Sequence, residues 1–361
     1  MPHVKLFKMS KKIEATELIS YVSSAAIAAT AIILMLTTPV PVIEKGNSLN
    51  YYWGLFSNPL LIGGHFLALA CVAVGMTWAM IALIAAALRK KDPSRFFSLS
   101  FLKKSAERLF SGAGDFFKLW TPVIISILFL SFVLAALNQL NISRLKDELV
   151  VGWDKALTGS YPFIAFQNVP YPEWMVNFIK FSFFYLPVVL VFFGLYLFFS
   201  HRDRFREIAA AFCLSLAALL FFWELVPVLS PHDRFLDNVY ALPISADIGQ
   251  NLVSNYHPQP SIELILEKVR KIKTADLGGV MPTSTFPSAH VVWASLLAYY
   301  SYKTRRELGL LFGIVAFLSM AGTVLFAQHY LVDVPAGILV AAASIFTINF
   351  VSARTYSVMT E

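Results

Sequence analysis

Two apolar stretches joined by a short polar turn decide the fold of this chain. They are residues 308–327, LGLLFGIVAFLSMAGTVLFA, and residues 332–352, VDVPAGILVAAASIFTINFVS. A helix of about 20 mostly apolar residues is long enough to cross the hydrocarbon core of a bilayer. Each stretch therefore predicts a membrane-spanning helix. The intervening turn, QHYL, then lies at one face of the membrane.

Six further apolar stretches have the same character, at 17–42, 60–88, 119–139, 175–200, 208–229 and 288–303. The whole chain is 57% hydrophobic and 14% charged, whereas a soluble domain is about 45–50% apolar and about 25% charged. We therefore predict an all-α protein, a polytopic membrane helical bundle with about eight transmembrane helices.

The net charge of +7 does not indicate a nucleic-acid-binding protein, because Lys and Arg occur in short clusters between the apolar stretches. With eight spans, most of the 29 Lys and Arg residues share the side of the basic N-terminus. Cytoplasmic loops carry this excess of cations. We therefore expect both termini in the cytoplasm and the QHYL turn on the periplasmic, extracellular or lumenal face.

Two polar motifs interrupt the apolar background, TSTFPSAHVVWA at 283–294 and FAQHYLVDVPAG at 326–337. Both fall at the outer ends of predicted spans. His290 opens the sixth span, and His329 and Asp333 open the eighth. One complete helical hairpin separates the motifs, so they return to the same membrane face. This placement predicts a shared site.

The residue types in these motifs suit phosphoryl transfer. His329 and Asp333 are four residues apart, so the carboxylate can accept a hydrogen bond from one imidazole nitrogen and leave the other as a nucleophile or base. His290, on another helix, can donate a proton to a leaving alkoxide. The N–H groups of two helix N-termini would face a bound phosphate.

FPSAH followed by HYLVD resembles the second and third signature motifs of the type 2 phosphatidate phosphatase superfamily, especially its inositol phosphorylceramide synthase and sphingomyelin synthase branch. The resemblance covers roughly residues 220–345, and WDKALTG around Asp154 is similar to an upstream element of that branch. It implies a six-helix catalytic core in which His329 becomes a phosphohistidine, Asp333 orients it and His290 protonates the leaving group. It also implies that neither a metal nor another cofactor is needed.

The chain departs from this pattern in its cations. Lipid phosphatases of the superfamily have a Lys-x6-Arg-Pro motif and an Arg six residues before the nucleophile, where this chain has Thr323. A phosphomonoester carries about 1.5 to 2 negative charges at neutral pH, whereas a phosphodiester carries one. The missing arginines favour a lipid phosphotransferase that moves a head group from a phospholipid donor to ceramide or diacylglycerol. The alternative is a lipid phosphatase acting on phosphatidate, a polyprenyl diphosphate or a related lipid.

Cations of the long outer loop, 230–287, can replace the missing arginines. The candidates are Arg234, Lys268, Arg270, Lys271 and Lys273. Of these we favour Arg234, just past the fifth span. Ser288 and Asp154 are further candidates for substrate binding, although each has a structural alternative as a helix cap or ion pair. The loop also contains an amphipathic helix, with Ser261 as candidate N-cap before apolar positions at helical spacing, namely Ile262, Ile265, Leu266 and Val269.

These observations divide the chain into two predicted regions. Residues 1–118 form an N-terminal two-span region that ends in a basic amphipathic segment, 89–118, on the cytoplasmic membrane surface. Residues 119–361 form the six-span catalytic domain. A metal-dependent hydrolase, with zinc held by two His and one Asp, and a non-catalytic transporter stay open as alternatives. The sequence does not indicate an oligomeric state.

Overall fold

A computed structural model describes residues 2–37, 49–54, 56–58, 99–277 and 280–357. Within these residues the chain forms helices and no β-strand, apart from one isolated parallel bridge between Val228 and Ser284. The prediction of an all-α membrane bundle is confirmed, because five helices are long and apolar enough to cross a membrane, and a bent pair makes up to six.

Most of the described residues lie in α-helices. In chain order they are α1 (Pro2–Thr37), α2 (Leu99–Leu140), α3 (Asp147–Thr158), α4 (Pro162–Ala165), α5 (Glu173–Phe184), α6 (Leu186–Ser200), α7 (Arg202–Leu225), α8 (Ala246–Asn255), α9 (Pro260–Leu277), α10 (Ala289–Thr304), α11 (Arg306–Leu325) and α12 (Asp333–Ser357).

Five predicted spans correspond to candidate membrane-spanning helices, in α1, α2, α7, α11 and α12. The fifth was predicted at 208–229, but α7 begins at Arg202 and ends at Leu225. Pro227 explains the earlier end, because the residue before a proline is pushed out of the helical region, and Val226 has φ −129° and ψ 71°. The second predicted span, 60–88, lies outside the described residues.

The fourth predicted span is broken. α5 and α6 meet at Tyr185 with a bend of 59°. Pro187 stands in the first turn of α6, a position where its missing N–H is tolerated. The sixth predicted span is α10, which has 16 residues and is too short to count among the candidate spans. It is nonetheless central, since Val291, Trp293 and Tyr300 are all buried.

The predicted boundary at 118/119 falls inside α2. That helix packs against α1, where the Ser24 hydroxyl lies 2.7 Å from the Pro122 carbonyl oxygen and 2.8 Å from the Ser126 hydroxyl. The division into two regions, 1–118 and 119–361, stays a prediction. Within the basic segment 89–118 the structure describes a helical backbone from residue 99 onward.

The predicted amphipathic helix of the outer loop is α9. Its apolar positions are buried against α5 and the end of α11 in one cluster, formed by Ile262, Ile265, Leu266, Val269, Val176, Ile179, Phe183, Leu325 and Phe326. Ser261 is not the N-cap, because α9 begins at Pro260 and the Gln259 carbonyl accepts the N–H groups of Ile262 and Glu263. α9 therefore covers the end of the bundle at which α11 ends.

Candidate active site

The loop between α11 and α12 presents His329 to the interior of the bundle. The Thr323 carbonyl oxygen accepts the backbone N–H groups of both Gln328 and His329 at 3.0 Å. Ala327 adopts a φ of +49°, a left-handed conformation that is unfavourable for a residue with a Cβ. Thr323, which stands where the lipid phosphatases have an arginine, therefore ends α11 and holds the loop.

The ring of His329 is fixed through its Nδ1 atom. Nδ1 lies 3.1 Å from Asp333 Oδ2 and 3.0 Å from the carbonyl oxygen of Thr285. Because a carbonyl oxygen only accepts hydrogen bonds, Nδ1 carries the proton and Nε2 carries the lone pair. Burial, reinforced by nearby His290, lowers the pKa of His329 well below its usual value, so the ring is neutral at pH 7.

Thr285 reaches His329 because two loops pair with each other. The segment after α7 and the segment before α10 exchange backbone hydrogen bonds, from Val228 N–H to the Thr283 carbonyl at 3.0 Å and from Thr285 N–H to the Val228 carbonyl at 3.3 Å. The Asn138 side chain accepts the Thr283 N–H at 2.9 Å. This pairing fixes the Thr285 carbonyl beside the imidazole.

His290 faces His329 across the site from the first turn of α10. The two ring centroids are 6.2 Å apart. The His290 ring stacks on Phe183, with centroids 4.5 Å apart and planes 17° apart, and lies 5.4 Å from the Trp293 ring. The three residues singled out from the two motifs, His290, His329 and Asp333, are therefore brought together as expected.

Both histidines line an open cavity of about 190 Å³. Its apolar side comes from aromatic residues on several helices, including Phe183 and Phe184 at the bend between α5 and α6. Its polar side comes from Ser230, Asp233 and Lys273. A cavity with this mixed lining suits a ligand that has both an apolar part and a polar head.

Lys273 is the outer-loop cation that reaches this cavity. It is 6% exposed, and its Nζ atom donates to Asp233 Oδ2 at 2.7 Å. Arg234, which we favoured, does not line the cavity. Its guanidinium is held at 3.2 Å by Glu148, at 2.7 Å by the Pro243 carbonyl and at 3.8 Å by Asp147. The π-helical turn His232–Leu236 directs Asp233 to the cavity and Arg234 away from it.

Ser288 and Asp154 also lie outside the cavity lining. Ser288 is the N-cap of α10, and its hydroxyl accepts the Val291 N–H at 3.3 Å. Asp154 is fully buried in α3, and its two carboxylate oxygens accept the N–H groups of Leu331 and Val332 at 2.9 and 2.8 Å. In the structure both residues hold backbone, and Asp154 holds the loop that carries His329.

In the part of the chain that the structure describes, the N-terminus of α12 has no free N–H groups for a phosphate, although the sequence predicted that two helix N-termini would face one. Just before α12, three successive backbone N–H groups already have carboxylate acceptors. Asp333 accepts the Tyr330 N–H at 3.0 Å, and Asp154 accepts the N–H groups of Leu331 and Val332. At α10 the N–H groups of Ala289 and His290 have no acceptor among the described residues. We therefore expect α10, and not α12, to offer N–H groups to a phosphate.

Replacing Asp154 should loosen the loop that carries His329 and so lower both stability and activity. Asp154→Ala leaves two buried N–H groups without an acceptor, at a cost of about 1–3 kcal/mol each, whereas Asp154→Asn keeps one acceptor oxygen. We expect both variants to lower the thermal unfolding midpoint, Ala more than Asn, and to lower kcat more than they raise KM. An unchanged midpoint and kcat in Asp154→Ala would contradict the role given to this carboxylate.

The sequence interpretation missed the polar wall formed by Ser230 and Asp233. The signal was present, because both belong to SPHDRF, the same charged stretch after the fifth span that drew attention to Arg234. It also missed the Thr285 carbonyl, which no side-chain pattern reveals. Among the described residues no group of three or more His, Cys, Asp and Glu is arranged to hold a metal ion.

Comparison with known proteins gives one match. A family model described as the PAP2 superfamily matches residues 148–347, from α3 to α12, and includes His290, His329, Asp333 and Asp154. No curated protein and no solved structure matches the chain. The matched segment exceeds half of the 361 residues. The chain is therefore a multi-pass membrane protein that belongs to the PAP2 superfamily of membrane phosphatases and phosphotransferases.

Proposed function

We propose that this protein is a lipid phosphotransferase that moves a phosphorylated head group from a phospholipid donor to a hydroxyl group on a second lipid, such as ceramide or diacylglycerol. The observation that carries the proposal is the fixed His329 ring, with Nδ1 bound by Asp333 and Thr285 and Nε2 left for the cavity. A nucleophile oriented by a third group in this way is the arrangement that covalent catalysis requires.

The reaction has two steps in this proposal. Nε2 of His329 attacks the phosphorus atom of the donor, and the bond from phosphorus to the donor's lipid oxygen breaks. His290, which the phosphate anion of the bound donor favours in its imidazolium form, gives its proton to that oxygen and becomes neutral. His290 then takes the proton of the acceptor hydroxyl, whose oxygen attacks the phosphohistidine. The bond from phosphorus to Nε2 breaks, so both histidines return to their starting states.

The charge of the cavity supports a diester donor. Lys273 is the one cation among the described residues that line the cavity, and Asp233 offsets its charge at 2.7 Å. The position six residues before His329 holds Thr323, which is buried and bonded within α11. A monoester with about 1.5 to 2 negative charges would call for more cations.

The test is a transfer assay on the purified protein in vesicles. A phosphodiester phospholipid labelled in its head group is supplied with and without ceramide or diacylglycerol, and both the transferred head group and free phosphate are followed. We expect label to move only when an acceptor is present, and to move equally after exhaustive chelation of metals. Label that is released without any acceptor would contradict transfer and support the second candidate.

That second candidate is a lipid phosphatase with the same nucleophile, in which water replaces the lipid acceptor. The open cavity favours it, since water can reach a phosphohistidine there as readily as a hydroxyl group can. Phosphatidate and polyprenyl diphosphates are its test substrates. Release of inorganic phosphate from them, faster than transfer from any diester, would establish it over the transferase.

We also propose that the site faces the periplasm, the cell exterior or an organelle lumen, with both termini in the cytoplasm. Two exposed positions at opposite ends of the bundle test this orientation, Ser254 in α8 and Arg305 before α11. In sealed vesicles of known orientation, Ser254→Cys should react with an impermeant maleimide from the outer face and Arg305→Cys only from the cytoplasmic face. The reverse pattern would invert the proposed topology.

A further inference from the structure

A buried ion pair forms the polar wall of the cavity beside His329. Lys273, 6% exposed, and Asp233, 2% exposed, both line the cavity, with Nζ and Oδ2 2.7 Å apart. The Ser230 hydroxyl donates to the same Oδ2 atom at 2.7 Å and accepts the Asp233 N–H at 3.1 Å. The carboxylate is therefore fixed in place from two sides.

The charges on this wall cancel. Among the described lining residues, Lys273 is the one cation and Asp233 the one carboxylate. Burial alone would raise the pKa of Asp233, but Lys273 and His232 outweigh burial and hold that pKa well below its ordinary range, so the carboxylate is ionised. A phosphate bound in the cavity thus meets an ammonium group whose charge is already offset.

We propose that Asp233 makes this site select monoanionic phosphodiesters and reject dianionic phosphomonoesters. The inference rests on the proposed function and names the residue that sets the charge of the substrate. Lys273 has further N–H donors for a phosphate with one negative charge. A second negative charge on the phosphate would lie close to the Asp233 carboxylate, which lines the cavity next to Lys273. Like charges repel more strongly in this buried setting than in water.

A neighbouring ion pair provides a matched control. Asp237 belongs to the same loop and pairs with Arg270, one turn before Lys273 on α9, with Nε and Oδ2 2.7 Å apart. Arg270 is 54% exposed, and neither Asp237 nor Arg270 lines the cavity. Asp237→Asn therefore removes the same kind of loop-to-helix contact as Asp233→Asn and leaves the carboxylate that lines the cavity in place. His232 Nδ1 lies 3.4 Å from Asp233 Oδ1 and 3.5 Å from Asp237 Oδ2, so both variants also lose a contact with this histidine.

The experiment measures binding in a His329→Gln background, which cannot form a phosphohistidine. Two lipids with identical short acyl chains serve as probes, dioctanoyl phosphatidic acid and dioctanoyl phosphatidylmethanol, at neutral pH in detergent solution. His329→Gln protein should bind the methyl diester more tightly. Adding Asp233→Asn should shift the affinity ratio toward phosphatidic acid by about tenfold or more, and adding Asp237→Asn should leave the ratio within about twofold.

The net charge of Asp233 and Lys273, and not the shape of the loop, should determine the ratio of the two lipid affinities. Adding Lys273→Met to Asp233→Asn restores a neutral wall, so the double substitution should bring the ratio back toward the parent value. An unchanged ratio in Asp233→Asn, or equal shifts in Asp233→Asn and Asp237→Asn, would overturn the inference. If Asp233→Asn protein does not fold, the affinities of the His329→Gln protein still test the inference. Tighter binding of phosphatidic acid than of the methyl diester by this protein would also overturn it.

This measurement is independent of the reaction. Failure of acceptor-dependent transfer in vesicles would remove the phosphotransferase, while the binding ratio would still report which phosphate charge the cavity accepts. Successful transfer together with a ratio that does not respond to Asp233 would leave the phosphotransferase standing and remove only the role of this carboxylate.

Discussion

Replacing His329 with Ala should abolish head-group transfer, with a loss on the order of 10⁴ to 10⁶ in kcat, as expected when a covalent nucleophile is removed. The remaining groups of the cavity can still bind and polarise a phosphate, but none of them can replace Nε2 as the attacking atom. The measurement is the initial rate of transfer in vesicles at saturating donor and acceptor.

A trapping experiment distinguishes a nucleophile from a structural histidine. Wild-type protein quenched soon after mixing with labelled donor should carry an acid-labile, alkali-stable label, and His329→Ala protein should carry none. His257→Ala is the matched control, because His257 is exposed in the outer loop, and it should retain both rate and label. A rate in His329→Ala within tenfold of wild type would sink the mechanism.

Replacing His290 with Gln should lower transfer by about 10² to 10⁴, the range expected for a missing general acid. The loss should depend on the leaving group. An alkoxide leaves poorly without a proton, whereas a nitrophenolate leaves well without one. A phosphodiester with a nitrophenol leaving group should therefore form the phosphohistidine at nearly the wild-type rate in His290→Gln protein, as the first turnover measures.

This rescue separates proton donation from packing. His290 stacks on Phe183 at 4.5 Å, so its loss also disturbs an aromatic contact. Phe183→Leu removes that contact and leaves the proton donor in place, and its effect should be the same for both leaving groups. Equal losses on the two substrates in His290→Gln would show that His290 acts through packing, contrary to our assignment.

Membrane-spanning helices were the most predictable part of the fold, because length and hydropathy alone indicate them. The break between α5 and α6 was not predictable in the same way. Pro187 lies inside the predicted span 175–200 and is also tolerated in membrane-spanning helices, and only the structure shows the bend of 59° between α5 and α6. The sixth predicted span, 288–303, is the 16-residue helix α10, and its buried side chains Val291, Trp293 and Tyr300 fit a helix enclosed by its neighbours.

The candidate site also has a part that was predictable from the sequence and a part that was not. His290, His329 and Asp333 were predictable because their helices are fixed by hydropathy and their spacing by sequence. The cation that lines the cavity was not, because Arg234 and Lys273 both lie in a long loop whose path hydropathy does not report. A π-helical turn decides between Asp233 and Arg234, and a shift of one residue there exchanges a carboxylate for a guanidinium at the cavity.

The carboxylates of Asp154 and Asp333 accept three successive N–H groups of the loop after His329, and this has a kinetic consequence. In the proposed reaction, the protein's own carboxylates hold the loop that carries His329, so the order of this loop does not depend on contacts with the lipid. Binding energy from the substrate is then available to stabilise the transition state. Discrimination between lipids then depends on how the phosphate itself approaches Nε2 of His329.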